Sequence, residues 1–399
     1  MTARRGMGAD GERFPDVLDP GGRTIGAEER RAVLRVLDSA VLCSTFGTET
    51  RALEAEMAAL YGRRAAVASS SGTAALHLAV AAVRLDPGDE VITTPISDFG
   101  TVAPILAQNG VPVFADVDPA TGNLDPAAVE AAVTPRTRAV IAVHLFGAPA
   151  DLAGLRAVAD RHGLVLIEDC AQAWLGTAPG GRLLGTVGDI ACFSLQQYKH
   201  ITAGDGGLCI TDDDELARRM RLFMDKGWDR TIGRLHLSLG LNYRMTELVA
   251  AVARAQLAKA AGVVARRAER AGQLLSALQG LAGIGLPDPA GHAWWLFPFT
   301  VPDDPGNRVW AEALAAEGVP AVAGYLERPL YANPALADEP VYGSSRFPLE
   351  GRSYPAGLCP NAERLIDRTL VVLHWNEGYT ADHVEVIAHA VRRVHGRLA

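Results

Sequence analysis

The feature that most constrains this chain is a series of seven short apolar segments between residues 65 and 211, at 65–68, 91–94, 111–116, 139–144, 165–168, 190–194 and 207–211. Most are rich in β-branched residues and lack polar alternation, as strands covered on both faces must be. Helical patterns at 73–83, 102–108 and 126–133 lie between the first four. Strand–helix alternation of this kind predicts a doubly covered α/β domain with a mainly parallel, seven-stranded sheet.

On either side of this region the pattern changes. Residues 26–61 read as two helices, with apolar positions Val33, Leu34 and Leu37, then Leu53, Met57 and Leu60. Residues 244–261 read as one long Ala-rich helix, followed by a second at 266–278 and a Gly/Pro-rich break at 280–291. A short strand at 292–301 then takes in Trp294 and Trp295, for which core packing is the leading reading and a pocket wall the alternative. Helices at 307–317 and 381–395 complete a smaller α+β unit. With 399 residues the chain exceeds what one core usually serves. The expected division is a flexible segment over 1–22, a large domain over 23–260 and a small C-terminal domain over 261–399.

Charge and composition exclude several classes. A net charge of −8 argues against a general nucleic-acid binder. No apolar run approaches the ~20 residues of a membrane span. Arg4 and Arg5 are not followed by an apolar segment, so residues 1–19 are not a signal peptide and are expected to fray. Cys43, Cys170, Cys192, Cys209 and Cys359 are scattered and never spaced Cys-x-x-Cys, which fits reduced thiols in a cytoplasm rather than a disulfide framework or zinc site. His144, His200, His292 and His374 are not metal-spaced and read as packing or substrate-facing residues, and no metal is expected.

Three segments carry chemistry. Ser69-Ser70-Ser71-Gly72-Thr73 joins a strand to a helix, where free N–H groups and the helix dipole favour a phosphate; taken alone, such a turn is more often a simple N-cap. The strand ending in Glu168-Asp169-Cys170-Ala171-Gln172 delivers carboxylates to the ligand edge of the sheet. A buried aspartate there needs a cation, and a protonated pyridinium nitrogen would serve, although capping of the next helix is an equal reading. Finally, Phe193-Ser194 leads through a polar loop to Lys199 and a Gly-rich turn at Gly204-Asp205-Gly206-Gly207. A lysine at this edge is a candidate Schiff-base residue, because burial favours its nucleophilic amine.

Taken together and in this order, with Gly188-Asp189-Ile190 and Leu241-Asn242-Tyr243-Arg244-Met245-Thr246-Glu247-Leu248 as further motifs, these segments resemble the DegT/StrS group of fold-type I, pyridoxal-phosphate-dependent sugar aminotransferases, from about residue 23 to the C-terminus. The resemblance implies a large domain with a mainly parallel sheet, a smaller C-terminal domain and pyridoxal 5′-phosphate as cofactor. It implies that Lys199 binds the cofactor covalently and moves protons, and that Asp169 pairs with the ring nitrogen. Gln172 is implied near the phenolic oxygen, with Gly72, Thr73 and Ser194 on the phosphate. Phe99 takes the place of the aromatic that stacks on the ring, with core packing as its alternative. Asn242 is implied to reach the phosphate from the other subunit of a homodimer; its alternative is to cap the helix beginning near Arg244. Trp174 and Asp205 depart from the group's commoner residues, and Trp174 would narrow whatever space it lines.

The activity implied is transfer of an amino group from glutamate or glutamine to a keto-sugar or keto-cyclitol, in amino-sugar or aminoglycoside-type (antibiotic) biosynthesis. The loop Gln196-Gln197-Tyr198-Lys199 and the stretch 357–363 are similar to relatives that aminate keto-inositols; nucleotide-linked keto-sugars are the runner-up. A sugar dehydratase on the same fold would carry histidine where Lys199 stands. A non-catalytic regulatory module would need a DNA-binding domain, for which about 20 preceding residues leave little room. No Gly-x-Gly-x-x-Gly follows the first strand, against a nicotinamide enzyme.

Overall fold

Seven strands form one sheet: β1 (Ala65–Ser69), β2 (Glu90–Thr93), β3 (Val111–Phe114), β4 (Thr137–Val143), β5 (Val165–Asp169), β6 (Ile190–Ser194) and β7 (Gly207–Thr211). In the computed structural model, which describes residues 14–19 and 22–398, their order is β1-β7-β6-β5-β4-β2-β3. Strands β2 to β6 pair in parallel, and β7 runs antiparallel to both β1 and β6.

Both faces of the sheet are covered, which is why the middles of its strands are apolar and polar residues fall mostly at their ends. Alternate residues of β6 enter different cores: Ile190 and Cys192 pack with the helix Gly72–Val83, whereas Ala191 and Phe193 pack with Leu53, Met57 and Trp174. Helices Pro126–Ala132 and Leu152–His162 extend the second face with Val129, Leu155 and Val158.

A second sheet has the order β8-β10-β9, built antiparallel from β8 (Phe297–Thr300), β9 (Ala321–Ala323) and β10 (Leu370–Leu373). Helices Ala260–Leu278, Asn307–Ala316 and Ala381–Leu398 bury Leu274, Trp310, Leu314, Ile387 and Val391 against it.

Several expectations are corrected. The long helix of 244–261 is instead Glu247–Leu257 followed by Ala260–Leu278, with a 52° bend between them. Arg244 stays outside because it is drawn to Asp225, and Thr246 is the cap, its side chain accepting from the Val249 N–H. Asn242 therefore does not cap this helix. The bend carries the chain from the large-sheet core at Leu257 and Ala260 to the small-domain core at Ala271 and Leu274.

The strand expected over 292–301 is confined to Phe297–Thr300. Trp294 has φ +57°, and the N–H groups of Ala293, Trp295 and Leu296 donate to Gly147 and Phe146 carbonyls rather than to a ladder. Trp294 and Trp295 thus precede the strand. Of the segment expected to fray, residues 1–13 lie outside the described residues. Phe14, by contrast, is buried against Tyr379 and His383. Among the described residues no single helix is long and apolar enough to cross a membrane.

Candidate active site

Strands β1, β5 and β6 run parallel to one another and end at the same edge of the sheet, which is where open α/β sheets gather their ligands. A cavity of about 1210 Å³ opens there. Ser71, Gly72, Thr73, Phe99, Asp169, Ser194 and Lys199 line it, so six of the eight residues proposed from sequence converge on one site.

The turn after β1 is built to admit an anion. Ser71 caps the helix by accepting from the Ala74 N–H, and the first-turn N–H groups of Gly72 and Thr73 have no carbonyl partner within the helix. Gly72 is a glycine for a steric reason: a Cβ there would lie 2.7 Å from the Ser194 Cβ. The close approach brings the two proposed phosphate residues together at the positive end of a helix dipole.

Asp169 ends β5 and is 4% exposed. Its Oδ1 accepts from the Ala171 N–H at 3.1 Å and its Oδ2 from the Thr101 hydroxyl at 3.0 Å. Burial raises its pKa, and these donors with the Lys199 charge offset that only in part. A buried carboxylate with two neutral donors suits a cation entering from the cavity.

The chain has only three lysines. Lys226 pairs with Asp225 at 2.8 Å and Lys259 with Glu29 at 2.7 Å. Lys199 alone faces the cavity, with its Nζ 4.2 Å from the centroid of the Trp295 ring. Burial lowers its pKa, opposed by Asp169 and Asp98, which favours an uncharged, nucleophilic amine.

The remaining expectations resolve unevenly. Gln172 is buried behind the wall: its Oε1 accepts from the Phe146 N–H at 2.7 Å and its Nε2 donates to the Tyr325 hydroxyl, which borders the cavity. Asn242 is exposed and lies outside the cavity of its own chain. Trp174 does not narrow the cavity; it packs in the core on Phe193 and donates to the Ser194 carbonyl at 3.0 Å. Trp294 is a core residue stacked on His292, whereas Trp295 walls the cavity.

Sequence reasoning missed Thr101 and Tyr325. Thr101 follows Phe99 by two residues, and nothing in that spacing reveals contact with a residue 68 positions away. Tyr325 sits at φ +64° in an irregular segment after β9, where no periodic pattern exists to read.

A mainly parallel seven-stranded sheet, a smaller antiparallel domain, and a lysine, carboxylate and anion cradle at one sheet edge define a pyridoxal-phosphate enzyme of fold type I. The DegT/DnrJ/EryC1/StrS aminotransferase family matches residues 23–392, and the chain belongs to that family. UDP-N-acetyl-3-dehydro-alpha-D-glucosamine 3-aminotransferase of Acidithiobacillus ferrooxidans is 37% identical over 91% of this chain and 92% of its own length. The aminotransferase of Psychrobacter cryohalolentis superposes with a TM-score of 0.85 at 31% identity, covering 94% of this chain and 98% of that one. DesV of S. venezuelae superposes with a TM-score of 0.83 at 34% identity, covering 94% and 95%. The activity is that of a pyridoxal-phosphate-dependent aminotransferase.

Proposed function

We propose that the protein moves an amino group from glutamate or glutamine onto the ketone of a polyhydroxylated ring, with Lys199 holding the cofactor. The observation that carries this is the convergence of Lys199, buried Asp169 and the Ser71–Thr73 turn on one cavity. When bound, pyridoxal phosphate supplies a ring that takes up negative charge from a substrate carbon. The chain's residues do the rest. Gly72, Thr73 and Ser194 would hold the phosphate. Asp169, kept in place by Thr101, would hold the proton on the ring nitrogen. Lys199 Nζ would take a proton from the donor's α-carbon and, in the second half of the cycle, deliver one to the carbon that bore the acceptor's ketone oxygen. Phe99 would cover a ring face and exclude water, and Gln172 would act from behind Tyr325.

For the acceptor we favour a keto-cyclitol, which would place the protein in aminocyclitol (antibiotic) biosynthesis. Among the described residues, Asp16, Asp19, Asp98, Asp205 and Glu327 line the cavity, with Lys199 the only lysine or arginine. Such a wall suits the hydroxyls of a neutral ring better than a diphosphate. The second reading, a nucleotide-linked keto-sugar, is favoured by the UDP-linked substrate in the name of the Acidithiobacillus relative. The working form we propose is a cytoplasmic homodimer in which Asn242 of one subunit completes the phosphate site of the other. Loaded protein is to be given amino donors while its cofactor absorbance is followed, then keto-cyclitols and nucleotide keto-sugars. Glutamate or glutamine should bleach the band and a keto-cyclitol should restore it. Restoration by neither class of acceptor would overturn the reading.

A further inference from the structure

Behind the lysine lies a buried set of groups that this chemistry leaves unassigned. The Trp295 indole N–H donates to the Tyr198 carbonyl at 2.7 Å, in the peptide that leads into Lys199. The Lys199 and His200 carbonyls accept from Arg23 Nη2, at 2.5 and 3.0 Å. Arg267, 1% exposed, donates from Nη1 to the carbonyls of Trp294, Trp295 and Trp375. Its Nε and Nη2 donate to Glu377 Oε2 at 3.1 and 2.8 Å, and Arg23 Nε lies 4.0 Å from the other oxygen of Glu377.

Two guanidiniums buried around one carboxylate are costly to desolvate, so apolar residues of similar volume would hold the fold as well. What this arrangement supplies is geometry. It fixes the peptides on both sides of Lys199 and the tryptophan beneath its amine. An aromatic face also suits the amine chemically, since it attracts an ammonium through its quadrupole yet cannot take the proton.

We propose that Trp295 is a positioning residue for Lys199, its ring face carrying the amine and its indole N–H fixing the preceding peptide, with the Arg267–Glu377–Arg23 relay keeping both in register. The proposal rests on Lys199 being the cofactor lysine. The charged groups that act on Lys199 are Asp169 at the end of β5 and Asp98 ahead of the Phe99 turn; Arg23 and the neutral, buried His200 flank its backbone. None of these is altered in the test.

The test uses the full chain freed of cofactor, prepared with ordinary, singly fluorinated or multiply fluorinated tryptophan. Fluorine weakens the negative face of the ring at nearly constant volume. A small amine-reactive reagent is applied across pH, and labelling of the Lys199 peptide is read by mass spectrometry, with Lys259 as internal reference. The Lys199 midpoint should fall with each fluorine, by about one pH unit in all, the size expected of a partly desolvated cation–π contact. In Trp295→Phe the fluorine dependence should vanish. A midpoint that ignores fluorine in the native chain, or one that still follows it in Trp295→Phe, would overturn the proposal. In loaded enzyme, Trp295→Phe keeps a ring but loses the N–H, so kcat should fall about 10-fold with donor KM unchanged. A change in KM alone would instead make Trp295 a substrate contact. Because the labelling needs no cofactor, its outcome is separate from whether Lys199 is the cofactor lysine, which borohydride reduction decides.

Discussion

The Thr101 hydroxyl donates to Asp169 Oδ2 at 3.0 Å, and Thr101 is itself fixed by a 2.8 Å hydroxyl contact with Ser97. The proposed partner of the ring nitrogen is thus aimed by a residue from another element. Asp169→Ala should cost at least about 10²-fold in turnover at saturating cofactor, as a desolvated charged contact is worth a few kcal/mol. Thr101→Val, which removes one neutral donor, should cost about 10-fold. Steady-state kinetics on both variants checks the order. Near-normal turnover by Asp169→Ala with cofactor bound would give the role to another group.

Glu168, next to Asp169 but pointing elsewhere, supports the structure. It is fully buried and accepts from the Gly185, Val187 and Gly188 N–H groups and from His144 Nε2. Burial pushes its pKa up, but His144 and the amides outweigh this and hold it low. Glu168→Gln turns an acceptor into a donor facing donors and should cost about 3 kcal/mol in chemical denaturation. A loss below about 1 kcal/mol would mean that the 185–188 turn does not depend on this carboxylate.

Acid should destabilise the fold in a defined window. Burial lowers His292 to about 3 and His77 to about 4, from 6.5 when exposed. Below pH 6.5 the unfolded chain therefore binds protons that the folded chain refuses. Stability is full above 6.5 and falls as pH drops towards those folded values, by about 1.4 kcal/mol per pH unit for each histidine. His292→Asn keeps an acceptor for the Trp294 N–H and should flatten the slope measured by urea denaturation between pH 6.5 and 4. An unchanged slope would place the proton uptake elsewhere.

Asn242 makes a prediction about assembly. It is exposed and outside its own chain's cavity, which fits service to a neighbour's site. Mixing inactive Lys199→Ala chains with inactive Asn242→Asp chains should restore activity, because one site of the mixed dimer carries both defects and the other neither. No recovery after proven subunit exchange would confine Asn242 to its own chain.

Much of this was readable from sequence because it is local. Strands β1 to β7 were visible since burial on both faces keeps their middles apolar and leaves polar residues mostly at their ends, and Ser71–Thr73, Asp169 and Ser194 sit where those strands stop. Direction was less visible: nothing in Gly207–Thr211 distinguishes an antiparallel strand from a parallel one. Trp294 and Trp295 looked continuous with Phe297 because all are apolar, yet a positive φ at Trp294 turns the chain and puts one tryptophan in the core and the other beside Lys199. The Arg23–Glu377–Arg267 relay joins positions more than 100 residues apart, and such partners leave no periodic trace.

If Lys199 carries the cofactor, a chain with three lysines makes the decisive measurement simple. The protein loaded with pyridoxal phosphate is reduced with borohydride, digested, and the modified peptide identified by mass spectrometry. The cofactor should be found on the Lys199 peptide, and Lys199→Ala should show no turnover. Attachment at Lys226 or Lys259 would contradict that assignment.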